Sequence, residues 1–152
     1  MLRITILSLA IALLASCTPT KKESVTEEKK KPAEYITTDQ SLPFSKAVIY
    51  DGIIYVAGQV GEIDMKLVEG GIGPETEQTM LNIKKILEEN GSSMDQVIKC
   101  TCMLADIAEW GDMNAVYTTF FPTHKPARSA LGASGLALNA MVEIECMAYI
   151  SQ

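Results

Sequence analysis

The chain has 152 residues, with 13 lysines and arginines against 19 aspartates and glutamates, and a formal net charge of −6 at pH 7. From Gln40 onward it has 7 basic and 14 acidic residues, a net charge of −7, which disfavours nucleic acid and bulk anions as ligands. This region, roughly 110 residues long, suits one small domain.

The first 17 residues follow the pattern of an export signal. Arg3 supplies a positive start, and residues 4–15 form a mostly apolar run that is too short for a permanent transmembrane helix. The run ends in Leu-Ala-Ser-Cys at residues 14–17, which resembles the lipobox of bacterial lipoproteins. We therefore predict a signal peptide over residues 1–16 and a lipid on Cys17. The alternative is an ordinary secretory signal with a chance cysteine.

The residues after Cys17 predict both a location and a tether. The residue directly after Cys17 is Thr18 and not aspartate. By analogy with lipoprotein sorting, this favours the outer membrane, facing the periplasm. Residues 18–31 are nearly all polar and carry too little apolar surface to offset the entropy of ordering. We predict a disordered tether over residues 17–40, a folded domain over residues 41–152, and membrane contact through the lipid anchor only.

The folded region begins with a predicted β-hairpin. Residues 46–50 and 53–57 are rich in β-branched and aromatic side chains, and Asp51-Gly52 between them is a strong hairpin signal. Residues 58–73 contain several glycines and no clear period, so we predict a loop there.

A helix is predicted to follow this loop. Pro74 is a favourable first-turn residue, and Asn90-Gly91 is a typical helix end. Between them the apolar residues recur at helical spacing. They are Met80, Ile83, Ile86 and Leu87.

The remaining elements complete an α+β pattern. We predict a strand over residues 97–104, a second helix over residues 110–121, a short extended segment over residues 128–131 and a last strand over residues 141–150. The order β-β-α-β-α-β-β places two helices on one face of one sheet.

The last strand alternates, so its two sides differ in character. Its apolar set should face the helices, while Glu143 and Glu145 face water or another subunit beside Met141, Met147 and Tyr149. The pattern alone favours an ordinary solvated face for the glutamates. The alternative is a partly buried carboxylate that moves protons at a subunit interface, and the mixed face does suggest a closed oligomer.

Three cysteines lie in the domain: Cys100, Cys102 and Cys146. Their odd count is not a disulfide framework, and Cys100 and Cys102 lie two apart on one strand, where they face the same way and pair poorly. We predict buried thiols. With His124 as the one histidine and no C-x-x-C pair, no metal site is predicted.

Arg128 is the obvious anion-binding group of this acidic domain, because the other arginine, Arg3, lies in the predicted signal. A guanidinium keeps its charge and offers a rigid fork of donors that matches a carboxylate in a bidentate way. If the fork points into a pocket, it is a site for a small organic acid.

Five short motifs occur in order and at close to the spacing of one known family. They are Gly58-Gln59-Val60, Asn82-Ile83, Met113-Asn114-Ala115-Val116-Tyr117 with Phe120-Phe121, Pro126-Ala127-Arg128-Ser129 and Val142-Glu143-Ile144-Glu145. Together they resemble the RidA (YjgF/YER057c) family of imine and enamine deaminases over residues 41–150. No single motif would suffice, but the set is specific.

The resemblance implies a chorismate-mutase-like α+β fold and a homotrimer with clefts between subunits. It implies that Arg128 binds the substrate carboxylate, that Glu143 places and activates water, and that Asn114 lies near the pocket. The implied reaction converts reactive 2-imino or enamino acids to 2-keto acids and ammonia. It needs no metal or organic cofactor, and nucleic acid is not an expected partner.

The chain departs from the family pattern at three pocket positions. Phe44 stands where many members carry tyrosine, Ala57 before Gly58 where many carry serine, and Ala130 where many carry cysteine. The Ala130 change is tolerable if only its backbone N–H contacts substrate, whereas the other two remove pocket hydroxyls. The alternative function is therefore a non-catalytic trimer that binds small carboxylates or protein clients at the cell envelope.

Overall fold

The structure is a computed structural model that describes residues 31–37 and 39–151. The predicted signal peptide, the predicted lipid site at Cys17 and most of the predicted tether lie outside these residues. Within the described ranges, no helix is both long and apolar enough to cross a membrane.

Two helices pack on one face of a six-stranded mixed sheet, as the α+β prediction requires. The strands of this sheet run in the order β1-β2-β3-β8-β6-β7, where β6 and β7 are parallel and every other neighbouring pair is antiparallel. Strands β4 and β5 form a separate small hairpin. The strands are β1 Glu34–Ile36, β2 Ala47–Tyr50, β3 Ile53–Val60, β4 Glu62–Ile63, β5 Lys66–Leu67, β6 Val97–Leu104, β7 Ala127–Gly132 and β8 Val142–Tyr149. The helices are α1 Ile72–Glu89 and α2 Trp110–Tyr117.

The predicted turn and helix end both form as their residue types dictate. Asp51 and Gly52 join β2 to β3 with positive φ angles of 52° and 77°, which the Asp-Gly pair adopts readily. Helix α1 ends at Glu89, and Gly91 follows with a φ of 78°, the left-handed conformation that helix ends favour.

The core lies between the sheet and the two helices. The predicted inward set on β8 is confirmed, since all four side chains are at most 2% exposed. They are Val142, Ile144, Cys146 and Ala148. They pack with the apolar stripe of α1. The opposite face of the sheet has no helix, so Tyr55, Met147 and Tyr149 are about 40% exposed there.

Three predicted boundaries were wrong. Residues 34–36 were assigned to the tether, yet they pair with β2 as edge strand β1, and Ile36 packs against the core. The predicted loop over residues 58–73 instead contains the end of β3, the β4–β5 hairpin and the start of α1 at Ile72. The second helix leaves α-helical geometry at Tyr117 and continues as a single 3-10 turn over Thr118–Phe120.

Gly61, one glycine of the wrongly predicted loop, lies where the chain after β3 contacts the backbone of α1. A Cβ atom at this position would lie 2.5 Å from the carbonyl oxygen of Glu75 on α1. That oxygen belongs to the backbone, so relief requires the helix to move away from the sheet. Glu75 itself is 5% exposed, and its Oε2 accepts the backbone N–H of Met141 at 2.8 Å, just before β8.

We expect Gly61→Ala to lower the free energy of unfolding by about 2–3 kcal/mol, because helix and sheet must separate locally. Urea denaturation followed by circular dichroism measures the change. Gly111→Ala is the matched control, since a Cβ at Gly111 in α2 meets no atom within 4 Å. In the control, alanine should raise stability by about 0.5–1 kcal/mol. Equal effects of the two substitutions would contradict the close-contact explanation.

Candidate functional site

Arg128 lies on the edge strand β7 and faces the helix layer. Its register partner on β6 is Cys100, whose side chain is buried on that same face. The guanidinium carbon lies 4.6 Å from the ring centroid of Tyr117 and 5.6 Å from that of Trp110, both on α2. At such distances a cation is attracted by the electron-rich ring face. The two rings therefore hold the guanidinium at the sheet edge, half-buried.

Asn114 shares this face of α2 with the two aromatic residues. Trp110, Asn114 and Tyr117 are spaced by four and three residues, which places them in one row on a helix. The Oδ1 atom of Asn114 is buried and has no hydrogen-bond partner. No carboxylate forms an ion pair with Arg128 in the part of the chain that the structure describes. We call Arg128, Asn114 and Ala130 the arginine half-site; Ala130 lies two residues along β7, on the same face as Arg128.

Glu143 lies on β8, and its side chain points to the sheet face that no helix covers. It is half-buried and pairs with Val60 on β3 and Met103 on β6. Its Oε1 atom lies so close to Gly58 that a Cβ added there would be 2.0 Å away. The absence of a side chain at Gly58 therefore makes room for the carboxylate.

The strand segment beside Glu143 is irregular. Between Val56 and Gln59, β3 has one more residue than the facing stretch of β8, which forms a bulge at Ala57 and Gly58. The Gln59 side-chain amide donates to the carbonyl oxygens of both bulge residues at 3.0 Å. We call Glu143, Ala57 and Gly58 the glutamate half-site.

Phe44 lies at the same end of the β2–β3 hairpin as the glutamate half-site. It is two residues before Lys46, whose carbonyl oxygen accepts the backbone N–H of Ala57 at 3.1 Å. Its side chain is 55% exposed and lines a surface hollow with Tyr35 and Leu42. A predicted pocket residue is thus largely uncovered in the single chain.

One chain does not bring Arg128 and Glu143 together. Strand β6 separates β7 from β8, and the two side chains leave opposite faces of the sheet. The seven residues predicted for the site thus fall into two groups within one chain, with Phe44 on the side of the glutamate half-site. A neighbouring copy is needed if both groups are to contact one ligand.

Beneath Arg128 lies a buried layer of sulfur and aromatic groups. Cys100, Cys102 and Cys146 are at most 2% exposed, which confirms the prediction of buried thiols. Burial raises the pKa of Cys102 to about 12, so this thiol stays protonated at neutral pH. Burial also raises the pKa of Tyr117, and the neighbouring Cys100 thiol raises it further. Residues 31–37 and 39–151 contain no group of three or more His, Cys, Asp or Glu side chains placed to hold a metal ion.

The Tyr117 hydroxyl makes no hydrogen bond of ordinary geometry, because the polar group facing it is the Cys100 thiol, a weak acceptor. We expect Tyr117→Phe to leave the free energy of unfolding unchanged or to raise it by about 1 kcal/mol, since it removes a poorly satisfied buried group. Tyr117→Leu should instead remove the ring beneath Arg128 and cost about 2 kcal/mol or more. Thermal unfolding of both variants is the measurement, and a large loss of stability in Tyr117→Phe would contradict this account.

The aromatic support of Arg128 was not predicted from the sequence. Tyr117 was named there only as the last residue of a family motif in the second helix, with no predicted contact to Arg128. The spacing of Trp110, Asn114 and Tyr117 was a usable signal, because it places them in one row. Which strand that row would cover was not readable from spacing alone.

Known proteins resemble this chain over nearly all of its described length. The family model described as Endoribonuclease L-PSP matches residues 37–150. Reactive Intermediate Deaminase A, chloroplastic, of Arabidopsis thaliana is 35% identical over 141 residues, covering 91% of this chain and 72% of that protein. The 2-iminobutanoate/2-iminopropanoate deaminase of Rattus norvegicus is 38% identical over 107 residues, covering 69% of this chain and 78% of that protein. The crystal structure of RidA from an Antarctic Psychrobacter species is 32% identical with a TM-score of 0.69, covering 75% of this chain and 94% of that one.

Proposed function

Because this chain belongs to the RidA family, we propose that it hydrolyses reactive 2-imino acids and their enamine forms to 2-keto acids and ammonia. Two relatives are named for deaminase activity, one of them for 2-iminobutanoate and 2-iminopropanoate. The observation that carries the proposal is Arg128. It is a half-buried guanidinium without a carboxylate partner among the described residues, and it is held between aromatic rings.

The arginine half-site would capture the acid end of the substrate. The fork of Arg128 pairs with the carboxylate, which orients the adjacent C=N carbon. Stacking on Tyr117 and Trp110 restricts the guanidinium before substrate arrives, so less side-chain freedom is lost on binding. The unpaired Oδ1 of Asn114 is an acceptor for the imine N–H.

Glu143 would supply the proton transfers. Its carboxylate accepts a proton from a water molecule as the water oxygen bonds to the imine carbon, and it passes that proton to the imine nitrogen. Glu143 then relays the hydroxyl proton of the resulting tetrahedral carbon to the nitrogen, which leaves as ammonia while the keto C=O bond forms. Imines already hydrolyse in water, so positioning and modest acid–base help suffice.

Both half-sites must meet around one substrate, which requires a second subunit. We propose a homotrimer, the assembly typical of the family, in which the edge strand β7 of one subunit approaches the helix-free sheet face of the next. The exposed Tyr55, Met147 and Tyr149 on that face supply apolar surface for such packing. Light scattering of the purified protein measures the mass of the assembly directly. A mass equal to that of one chain would contradict the shared site.

The proposed setting is the bacterial envelope, with the protein exported, lipid-anchored at Cys17 and held at the outer membrane facing the periplasm. This setting motivates the second candidate, a non-catalytic trimer that binds small carboxylates or protein clients. Imino acids arise chiefly from cytoplasmic pyridoxal-phosphate enzymes, so an exported deaminase meets little of that substrate. Phe44 and Ala57 also lack the hydroxyls that many family members carry there.

An RNA-cleaving role, which the description of the family model names, is not proposed. The region from Gln40 onward carries a net charge of −7. A polyanion that approaches this surface is repelled rather than steered toward it.

The decisive assay measures keto acid release from 2-imino acid generated in place by a pyridoxal-phosphate-dependent dehydratase acting on serine or threonine. We expect pyruvate or 2-ketobutyrate to form faster than in buffer alone. If the rate equals that of buffer, the deaminase proposal fails. A thermal shift with added 2-keto acid that depends on Arg128, together with no turnover, would then support the binding alternative.

A further inference from the structure

Two of the buried cysteines lie directly opposite each other on neighbouring strands. Cys100 on β6 is the register partner of Cys146 on the antiparallel strand β8, and their Sγ atoms are 2.7 Å apart. This separation is longer than a disulfide bond of about 2.05 Å but shorter than the usual non-bonded contact of two sulfur atoms. Cys102, two residues along β6, is opposite Ile144.

The geometry of such a pair is compatible with a covalent link. Directly opposite residues in an antiparallel ladder keep their Cβ atoms roughly 4.5–5.5 Å apart, and disulfides span roughly 3.5–4.5 Å, so a small approach suffices. The Cys146 thiol lowers the pKa of Cys100 by hydrogen bonding to it, and the same contact raises the pKa of Cys146. Cys100 is therefore the sulfur that becomes a thiolate, the reactive form, more readily.

We propose that Cys100 and Cys146 form a disulfide bond that links β6 to β8 in the middle of the sheet, while Cys102 remains a free thiol. The oxidant is a disulfide compound, either a small molecule or a disulfide-exchange protein. The Cys100 thiolate attacks it, forming a mixed disulfide and releasing one thiolate. The Cys146 sulfur then attacks Cys100, loses its proton and releases the second thiolate. Two protein thiols are oxidised, and one disulfide of the oxidant is reduced to two thiols.

Burial determines when this step takes place. Both sulfurs are at most 2% exposed, because the helices cover this face of the sheet. An oxidant therefore reaches them only before the helices have packed, during folding in an oxidising compartment such as the one that the predicted export signal implies. Once closed, the bond is shielded from reductants by the same packing.

The bond would also constrain the arginine half-site. The chain between Cys100 and Cys146 includes α2 and β7, and so contains Asn114, Arg128 and Ala130. A link at its two ends restricts the unfolded chain and stabilises this part of the fold. The proposal does not depend on whether the site hydrolyses imines.

The test is a disulfide map of the full-length chain refolded from denaturant with oxidised glutathione as the probe. After alkylation and tryptic digestion without reduction, we expect the peptide that runs from Cys100 to Arg128 to be joined to the C-terminal peptide containing Cys146. Its mass should be two hydrogen atoms below the sum of the two unalkylated peptides, plus one alkyl group on Cys102. Cys102→Ser should keep this product and Cys146→Ser should lose it.

Stability supplies a second readout. Wild type and Cys102→Ser refolded with a reductant should melt about 5–15 °C below the same proteins refolded with oxidised glutathione, and Cys146→Ser should show no such difference. If the refolded wild type has Cys100 and Cys146 fully alkylated, or if Cys102 is the cross-linked residue, the proposal is wrong. Because the wild-type map needs no variant, this outcome stands even if Cys146→Ser does not fold.

Discussion

Replacing Arg128 with alanine should lower kcat/KM for 2-imino acid hydrolysis by about 100- to 1000-fold. A bidentate pair between a guanidinium and a carboxylate contributes on the order of 3–4 kcal/mol when partly shielded from water, and alanine removes all of it. Arg128→Lys keeps the charge but loses the planar fork, so we expect a smaller fall of about tenfold. Steady-state kinetics of keto acid release is the measurement.

Lys99→Ala is the matched control for Arg128→Ala. Lys99 lies on the neighbouring strand, and its ammonium donates to Ser129 Oγ at 2.9 Å, away from the arginine half-site. Lys99→Ala removes the same charge from the same part of the sheet as Arg128→Ala. A fall in kcat/KM caused by net charge alone would therefore be equal in both variants. If Arg128→Ala keeps the wild-type kcat/KM, Arg128 does not anchor the substrate.

Gly58→Ala should abolish most turnover while leaving carboxylate binding intact. The new methyl group would occupy the position of the Glu143 carboxylate, so that carboxylate must move away. Because the Glu143 side chain is flexible, it can move without unfolding the sheet. We expect kcat to fall by about 10- to 100-fold, in the range for a displaced acid–base group. The melting temperature should still rise with added 2-keto acid, because Arg128 is untouched.

Two comparisons sharpen the Gly58→Ala result. Glu143→Gln removes the same proton-transfer group directly, so the double variant should be little worse than either single variant. Gly111→Ala adds the same methyl group where nothing lies within 4 Å, and it should leave kcat unchanged. Additive losses in the double variant would mean that Gly58 acts on something other than Glu143.

Local patterns predicted most of the fold. The Asp51-Gly52 pair, the stripe of α1 and the alternation of β8 each depend on neighbours within a few residues, and each was confirmed. Strand β1 was missed because a three-residue strand carries almost no pattern of its own. It exists because β2 offers it hydrogen-bond partners.

The residues of the candidate site were predicted from the sequence, but their arrangement in space was not. The motifs named Arg128 and Glu143, but their separation onto opposite faces depends on β6 lying between β7 and β8, which is a long-range property. Gly58 and Gly61 were assigned to a predicted loop, and Gly58 also to a family motif. In the structure they are places where another group comes too close for a side chain, and only the tertiary contact reveals this.

Strand β8 is the last strand along the described residues, yet it lies in the interior of the sheet, between β3 and β6. A polypeptide still leaving the ribosome thus holds two separate pieces of sheet, β1–β3 and β6–β7, with nothing to join them. Stable folding of the sheet must wait until the joining strand, which ends at Tyr149, has been synthesised. Until that strand is available, the apolar faces of the two pieces have no complete sheet to pack on, and the chain stays incompletely folded.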